Sequence, residues 1–351
     1  MLRLHPRKEE SVLRFHPWIF SGAIASFSAP VEDGDLVSVV DSKGRPLGTG
    51  HFGGGSIAVR LLSFDAEEVI DRAFYKRRLE AALRLRLSCD LVRPVGSSDS
   101  PNTTYRLVHG EGDSLPGLII DIYDRTAVVQ AHSLGMHQAR QTIAEVLWEV
   151  FAEAGDPVLP LEGIYYKSET TLPTRDMREL ASDGFLIGHT EAAPIYENGV
   201  RFTPDWLKGQ KTGFFIDQRD NRALVAHYAK GRTVLNAFCY TGGFSIYALH
   251  AGAKRVDSLD SSAKAMYLTE QHVALNFGTD CPRHHSVTED AFDYLERMPE
   301  GEYDLIILDP PAFAKHRKVL RNALIGYRKI NSIAFKKVAP GGIVFTFSCS
   351  Q

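Results

Sequence analysis

From Val37 to Leu62 apolar and polar residues alternate in three short runs, 37–41, 46–52 and 56–62. The turn Ser42-Lys43-Gly44-Arg45 and the glycine run Gly53–Gly55 separate them, and alternation of this kind with turn residues between predicts a small β module. Between Asp65 and Ser88 the period lengthens. Val69, Ile70, Ala73, Phe74, Leu79, Ala82 and Leu83 fall mostly on one face of a helix, and a Gly/Ser/Pro loop follows at 94–101. Strand-like runs at 105–110, 117–124 and 126–133, a helix over Met136–Ala154 and a strand at 163–168 make a compact α+β unit. Within Ile195–Phe202, Asn198-Gly199 is a two-residue hairpin signal.

Beyond it the pattern becomes βαβα: strands at 233–238, 255–260, 303–309 and 342–348, with helices at 244–252, 262–277 and 320–338. Strands apolar on both faces and separated by helices predict an α/β fold with a doubly wound, mostly parallel sheet and right-handed crossovers. The organisation shifts near residues 70 and 190, which divides the chain into 1–70, 71–190 and 191–351, with no internal repeat.

Composition adds boundaries to this picture. At 351 residues, 44% hydrophobic and 24% charged, the chain is that of an ordinary globular protein with more than one core. No apolar run approaches the roughly 20 residues of a membrane span. His5, Pro6, Arg7, Lys8, Glu9 and Glu10 break any secretory segment, so the expected location is the cytoplasm, with no membrane partner. Cys89, Cys239, Cys281 and Cys349 form no CxxC pair, so free thiols and no metal site are expected. A net charge of −3 supplies no global attraction to nucleic acid, and phosphate contacts must be local. Two basic stretches are candidates, Arg3/Arg7/Lys8/Arg14 and Lys76/Arg77/Arg78/Arg84/Arg86, although such runs are more often solvated helix faces. Trp18, near the first of these stretches, reads as a packing residue in preference to an RNA-stacking one.

In doubly wound sheets ligands bind at the carboxyl ends of the strands. The strand at 233–238 runs into Cys239-Tyr240-Thr241-Gly242-Gly243-Phe244, where two glycines allow a tight turn close to a ligand. The next strand ends in Asp260, a carboxylate able to accept both hydroxyls of a ribose. These features suggest an adenosine-containing ligand, against the alternative that Asp260 is simply a solvated acid. Two further strand ends follow, Asp309-Pro310-Pro311-Ala312-Phe313 and Ser348-Cys349-Ser350.

With these segments the chain resembles the ribosomal RNA large subunit methyltransferase I family of class I S-adenosylmethionine (SAM) methyltransferases, which act on cytosine carbon-5 in 23S rRNA. The resemblance runs through 16–24, 106–123, 211–222, 235–245, 308–315 and 345–350. It implies an N-terminal PUA RNA-binding domain, a central α+β domain and a Rossmann-like methyltransferase domain, with SAM as cofactor. Ribosomal RNA is the implied partner, and a homodimer is left open. By position it places Phe214, Asp217, Gln218, Arg219 and Arg222 beside the methionine end of SAM. The cofactor loop would comprise Asn236, Phe238, Tyr240, Thr241, Gly242 and Gly243. Asp260 with Ser261 would hold the ribose, Asp290 with Ala291 the adenine edge, and Asp309 would bridge cofactor and base. Pro310, Pro311 and Phe313 would contact the substrate, Phe313 as a stacking ring or as core.

The chemistry can also be argued from the residues. Carbon-5 of cytosine is a poor nucleophile, and a thiolate added at carbon-6 turns it into an enamine-like carbon. Cys349 is the candidate thiolate and Asp309 the group that hydrogen-bonds the base, while the base removing the carbon-5 proton stays unassigned. A lone strand-end cysteine is more often structural, but the match of Ser348-Cys349-Ser350 to the family's nucleophile segment favours catalysis. Cys239 keeps the packing reading. Pro311 stands where many RNA cytosine-5 methyltransferases carry a second cysteine; the resembled family also lacks it. The chain stops at Gln351, just after the last predicted strand, where the fold usually continues, so either a longer protein or a poorly supported nucleophile segment is expected. The rival readings are a methyltransferase acting on a guanine or amino nitrogen, and a non-catalytic RNA-binding protein with a truncated methyltransferase domain.

Overall fold

The computed structural model describes residues 1–173, 182–313 and 320–349. Ala314, Lys315 and Ser350 of the segments above lie outside them. The chain forms two compact units, Met1–Gly199 with Pro204–Ile216, and Val200–Thr203 with Asp217–Gln351.

The first unit holds two sheets. Strands β1 (Leu2–Leu4), β2 (Trp18–Phe20), β3 (Ile24–Phe27), β4 (Leu36–Val40), β5 (Pro46–Phe52) and β6 (Ile57–Ser63) form one sheet in the order β2-β6-β5-β4-β1-β3. Alternation does the work: Leu2 and Leu4, Val37 and Val39, Val59 and Leu61 point to one buried cluster. The first three strands were not predicted, because three or four residues interrupted by Arg3 or Ser26 carry too little period to read.

In the second sheet β7 (Thr104–His109), β8 (Leu118–Tyr123), β9 (Thr126–Ala131), β10 (Gly163–Tyr166) and β11 (Gly184–Gly188) run in the order β11-β10-β9-β8-β7. Helices Arg72–Ser88 and Arg140–Ala154 cover it, burying Phe74, Leu79, Leu83, Leu147 and Phe151 with Ile120 and Val129. Each such side chain contributes about 1.5–3 kcal/mol of burial. Two helix limits differ from expectation. The first helix begins at Arg72, not Asp65, because the Asp71 side chain accepts the Phe74 N–H as a cap (2.9 Å), which leaves Val69 outside it and 69% exposed. The expected helix over Met136–Ala154 is two, Leu134–Gln138 capped by Ser133 and then Arg140–Ala154, parted at Ala139.

A small hairpin, β12 (Ile195–Glu197) and β13 (Val200–Phe202), turns at Asn198-Gly199. The second unit then carries β14 (Thr233–Ala237), β15 (Arg255–Asp260), β16 (His284–Thr288), β17 (Leu305–Leu308) and β18 (Ile343–Thr346), in the order β16-β15-β14-β17-β18. Every pair is parallel. Helices Arg219–Ala229, Gly243–His250, Ala263–Phe277, Ala291–Arg297 and Leu320–Lys337 complete it. Strand β16 escaped the sequence reading because His284-His285-Ser286-Val287-Thr288 is polar, as suits a half-exposed edge strand. Leu235, Ala237, Ile306 and Leu308 pack with Leu295, Ile330 and Ala334 into the core. Strand order reverses between β14 and β17, and this switch point opens a crevice at the carboxyl ends. In register, Ala237 lies beside Leu259 and Leu308, and Leu308 beside Thr346, so the loops after β14, β15, β17 and β18 leave the sheet at one level.

Candidate active site

The loop after β14 is contorted. Phe238 (φ 59°), Tyr240 (φ 48°) and Gly242 (φ 76°) all take left-handed backbone, which for the two aromatics costs about 1–2 kcal/mol each. Several bonds hold it. Tyr240 N–H donates to Asp260 Oδ2 (3.0 Å), Thr269 Oγ donates to the Tyr240 carbonyl (3.0 Å), and the His272 ring donates through Nδ1 to the Thr241 carbonyl (2.9 Å). Glycine is required at 242, since a Cβ there would lie 2.5 Å from Thr269 Cγ2. Thr269 and His272, buried on helix Ala263–Phe277, were missed in the sequence; polar residues three apart on a buried stripe were the available signal. Cys239 is buried against the Met266 sulfur (3.6 Å), and burial pushes its thiol well up, with Asp260 adding to the effect.

Beneath the loop Asn236 is fully buried. Its Nδ2 donates to Ser245 Oγ (2.8 Å), Ser245 bonds Ser258 (2.6 Å), and Ser258 meets His284 Nε2 (2.8 Å). Asn236 Oδ1 has no partner among the described residues. Gly243 opens helix Gly243–His250 and lies against the buried Arg222, whose guanidinium sits 6.0 Å from the Tyr247 ring centre.

Asp260 at the end of β15 is half-buried and accepts two backbone N–H groups, Tyr240 on Oδ2 and Ser262 on Oδ1 (2.9 Å). A carboxylate has about four acceptor positions, so ribose hydroxyls can still be accepted while the acid shapes the loop. Ser261 is exposed beside it. Asp290 caps helix Ala291–Arg297 through Oδ1, taking the Phe292 (2.8 Å) and Asp293 (3.3 Å) N–H groups, while Ala291 is buried. Only Oδ2 of Asp290 then remains for an adenine edge.

Across the switch point, Asp309 follows β17 and its N–H reaches the Ala237 carbonyl at 3.5 Å. Pro310 is buried and Pro311 exposed. Phe313 is half-buried, its ring 4.6 Å from Tyr327 and 6.0 Å from Phe292, so its core role is filled whether or not it meets a base. The chain after β18 is drawn in by Phe347, whose N–H bonds the Leu308 carbonyl (2.9 Å) and whose ring stacks on Phe244 (5.3 Å). This brings the exposed Cys349 against the Asp-Pro-Pro turn, its Sγ 3.7 Å from the Pro310 carbonyl.

The DQR segment is less gathered. Asp217 is exposed, Gln218 Oε1 accepts from Asn221 (2.7 Å) and Arg219 pairs with Asp220 (3.3 Å), whereas Arg222 is buried beside the loop. Phe214 lies in the first unit, buried, its carbonyl accepting from Tyr123 OH (3.4 Å). Among the described residues no group of three or more His, Cys, Asp or Glu could hold a metal ion, and no helix is long and apolar enough to cross a membrane.

The strained strand-end loop, the acid one strand over and the orphaned Asn236 oxygen fit an adenosine cofactor better than a merely structural turn. Comparison with known proteins gives the same direction. A profile described as S-adenosylmethionine-dependent methyltransferase matches residues 174–350, and one described as PUA-like domain matches 2–64. The ribosomal RNA large subunit methyltransferase I of Shewanella denitrificans is 41% identical over 99% of this chain and 85% of its own length. That of Aeromonas salmonicida is 40% identical over 98% and 84%. Among solved structures, a Streptococcus mutans protein proposed to be a SAM-dependent methyltransferase aligns over 98% of this chain and 84% of its own, with TM-score 0.76 and 23% identity. Another, proposed to be a methyltransferase and complexed with SAH, aligns over the same shares with TM-score 0.78 and 23% identity. These two speak to the fold alone.

Proposed function

This chain belongs to the ribosomal RNA large subunit methyltransferase I family, and from that premise we propose that it methylates carbon-5 of a cytosine in 23S rRNA through a covalent adduct on Cys349. The observation that carries the proposal is the approach of the Cys349 thiol to the Pro310 carbonyl, one residue from Asp309, at the switch point of the sheet. Nitrogen methylation has no use for a thiol there.

SAM supplies an electrophilic methyl group on a sulfonium. The loop Phe238–Gly243, Asn236, Asp260 with Ser261, and Asp290 with Ala291 would hold its nucleoside, and Asp217, Gln218, Arg219 and Arg222 its methionine end. Cys349 adds as thiolate to carbon-6 of the cytosine, and the electron pair displaced from the carbon-5/carbon-6 double bond makes carbon-5 nucleophilic. Asp309 hydrogen-bonds the ring nitrogen or amino edge and steadies charge on the ring, while Pro310, Pro311 and Phe313 flank the base. After methylation, loss of the carbon-5 proton restores the double bond and expels the Cys349 thiolate.

Residues 1–70 are assigned as a PUA-like RNA-binding domain, 71–190 as a central domain and 191–351 as the methyltransferase domain; the PUA-like match at 2–64 and the end of the first sheet at Ser63 support the first limit. An rRNA substrate places the protein in the cytoplasm, and a homodimer is the assembly to look for by light scattering. The test is to incubate the protein with SAM and unmodified large-subunit rRNA and identify the methylated nucleoside by mass spectrometry. 5-Methylcytidine is expected; a methylated guanosine or amino group as the sole product overturns the reading.

A further inference from the structure

Helix Ala263–Phe277 carries a polar stripe, Thr269, His272 and Asn276, that meets two other parts of the second unit, the turn after β14 and strand β13. His272 is 2% exposed, and each ring nitrogen has a backbone partner. Nδ1 lies 2.9 Å from the Thr241 carbonyl. A carbonyl can only accept, so Nδ1 carries the proton and Nε2 of the neutral ring is an acceptor. The Thr203 N–H meets it at 3.1 Å, closer than the Thr203 carbonyl at 3.3 Å. Burial pulls the ring's pKa down, against the opposing effect of its backbone bonds, which keeps it neutral. The Phe202 ring, 5.4 Å away at 87°, fixes the plane of the imidazole.

The bond to Thr241 orients a whole peptide. In a trans peptide the carbonyl and the N–H point in opposite directions, so drawing the Thr241 carbonyl to His272 turns the Gly242 N–H onto the Cys239 carbonyl, at 2.8 Å. That bond closes the turn Cys239–Gly242, whose second residue, Tyr240, has a left-handed φ of 48°. A turn strained at that position keeps its shape only while its peptides are held. Asp260 and Thr269 hold the N–H and the carbonyl of Tyr240, and His272 holds the peptide after Thr241. One turn further along the helix, Asn276 serves strand β13 instead. Its Oδ1 accepts the Arg201 N–H (3.0 Å) and its Nδ2 donates to the Arg201 carbonyl (2.8 Å).

We propose that His272 is a positioning residue for the cofactor: its Nδ1 edge sets the peptide between Thr241 and Gly242, and with it the turn that receives SAM, while its Nε2 edge holds the end of strand β13. The proposal rests on the reading of 238–243 as the cofactor loop. A residue there only to pack would need no nitrogen at either edge, and both nitrogens are engaged.

Asparagine and glutamine separate the two edges, because an asparagine amide reaches as far as Nδ1 and a glutamine amide as far as Nε2. His272→Asn keeps a donor for the Thr241 carbonyl and abandons Thr203. His272→Gln keeps an acceptor for the Thr203 N–H and abandons Thr241. SAM affinity is read by calorimetry and stability by thermal melting, both on the full chain. His272→Gln should weaken SAM binding about tenfold, as the loss of one buried hydrogen bond does. His272→Asn should bind SAM within about twofold of the wild type and melt at a lower temperature, its Thr203 N–H being left without an acceptor. Asn276→Ala should melt lower with SAM affinity unchanged. Wild-type affinity in folded His272→Gln overturns the role, as does an equal loss in the Asn and Gln variants or in Asn276→Ala. Should His272→Gln not fold, His272→Asn decides: wild-type affinity supports the role, and a loss of about tenfold overturns it. If Asp260→Ala weakens SAM binding and His272→Gln does not, only the role of His272 falls. If neither weakens it, the cofactor reading of the loop falls as well.

Discussion

Cys349 and Cys239 both follow strands of one sheet, and their surroundings give them different chemistry. Cys239 is buried against Met266 with its thiol pushed well up, so it is held as a neutral packing group. Cys349 is exposed at the mouth of the crevice. RNA with 5-fluorocytosine at the target should therefore trap the protein as an adduct stable on a denaturing gel, since fluorine cannot leave as a proton does. Cys349→Ser should give no adduct and lose about three orders of magnitude in turnover, because a serine hydroxyl is scarcely ionised at neutral pH. Cys239→Ser should keep both. A fully active Cys349→Ser sinks the covalent mechanism. The sequence singled out Cys349 by its match to the nucleophile segment and left Cys239 to packing, but the seat of Cys349 beside the Asp-Pro-Pro turn depends on Phe347 folding onto Phe244 and Leu308, contacts between segments about 40 and 100 residues apart that no local pattern encodes.

At the level of elements, the loop between β14 and helix Gly243–His250 is a strained connector kept in shape by its neighbours. Gly242→Ala places a methyl 2.5 Å from Thr269 Cγ2 at a φ of 76°, so it should destabilise the protein on the order of 2–4 kcal/mol and weaken SAM binding at least about tenfold. Thermal melting and calorimetry check both. Adding Thr269→Ser removes the clashing carbon and keeps the hydroxyl that bonds the Tyr240 carbonyl, so the double variant should recover part of each loss. A double variant as impaired as the single one would mean the clash is not the cause. The glycine pair was legible in the sequence because a turn before a helix leaves few alternatives. Thr269 was not, because its part depends on how helix Ala263–Phe277 packs under the loop.

Over the whole molecule, charge is arranged against general attraction to nucleic acid and for local contacts. The stretch Lys76–Arg86, a candidate in the sequence, is neutralised in the fold: Lys76 pairs with Glu153, Arg77 and Arg78 with Glu68, Arg84 with Glu80 and Arg86 with Asp113. In the N-terminal stretch Arg14 pairs with Glu10, whereas Arg7 and Lys8 are exposed and have no ion pair among the described residues. Replacing Arg7 and Lys8 by Gln should lower the salt slope of RNA binding by about 1.4, at roughly 0.7 per single-strand phosphate. Replacing Arg77 and Arg84 should leave the slope unchanged and cost at most about 1 kcal/mol of stability. A slope that moves only with the second pair would put the RNA on the helix after all.

The sequence by itself determined the alternating elements, the parallel sheet and the strand-end residues of the candidate site, because period and turn chemistry act over a few neighbouring residues and leave a local record. Only the tertiary structure decided that Asp260 braces the loop it was expected to serve, that Asp290 spends one oxygen on a helix cap, and that Lys76–Arg86 is paired with acids. Hydrogen bonding and ion pairing join residues far apart in the chain, so their partners, and with them the role of each charge, are set when the elements pack.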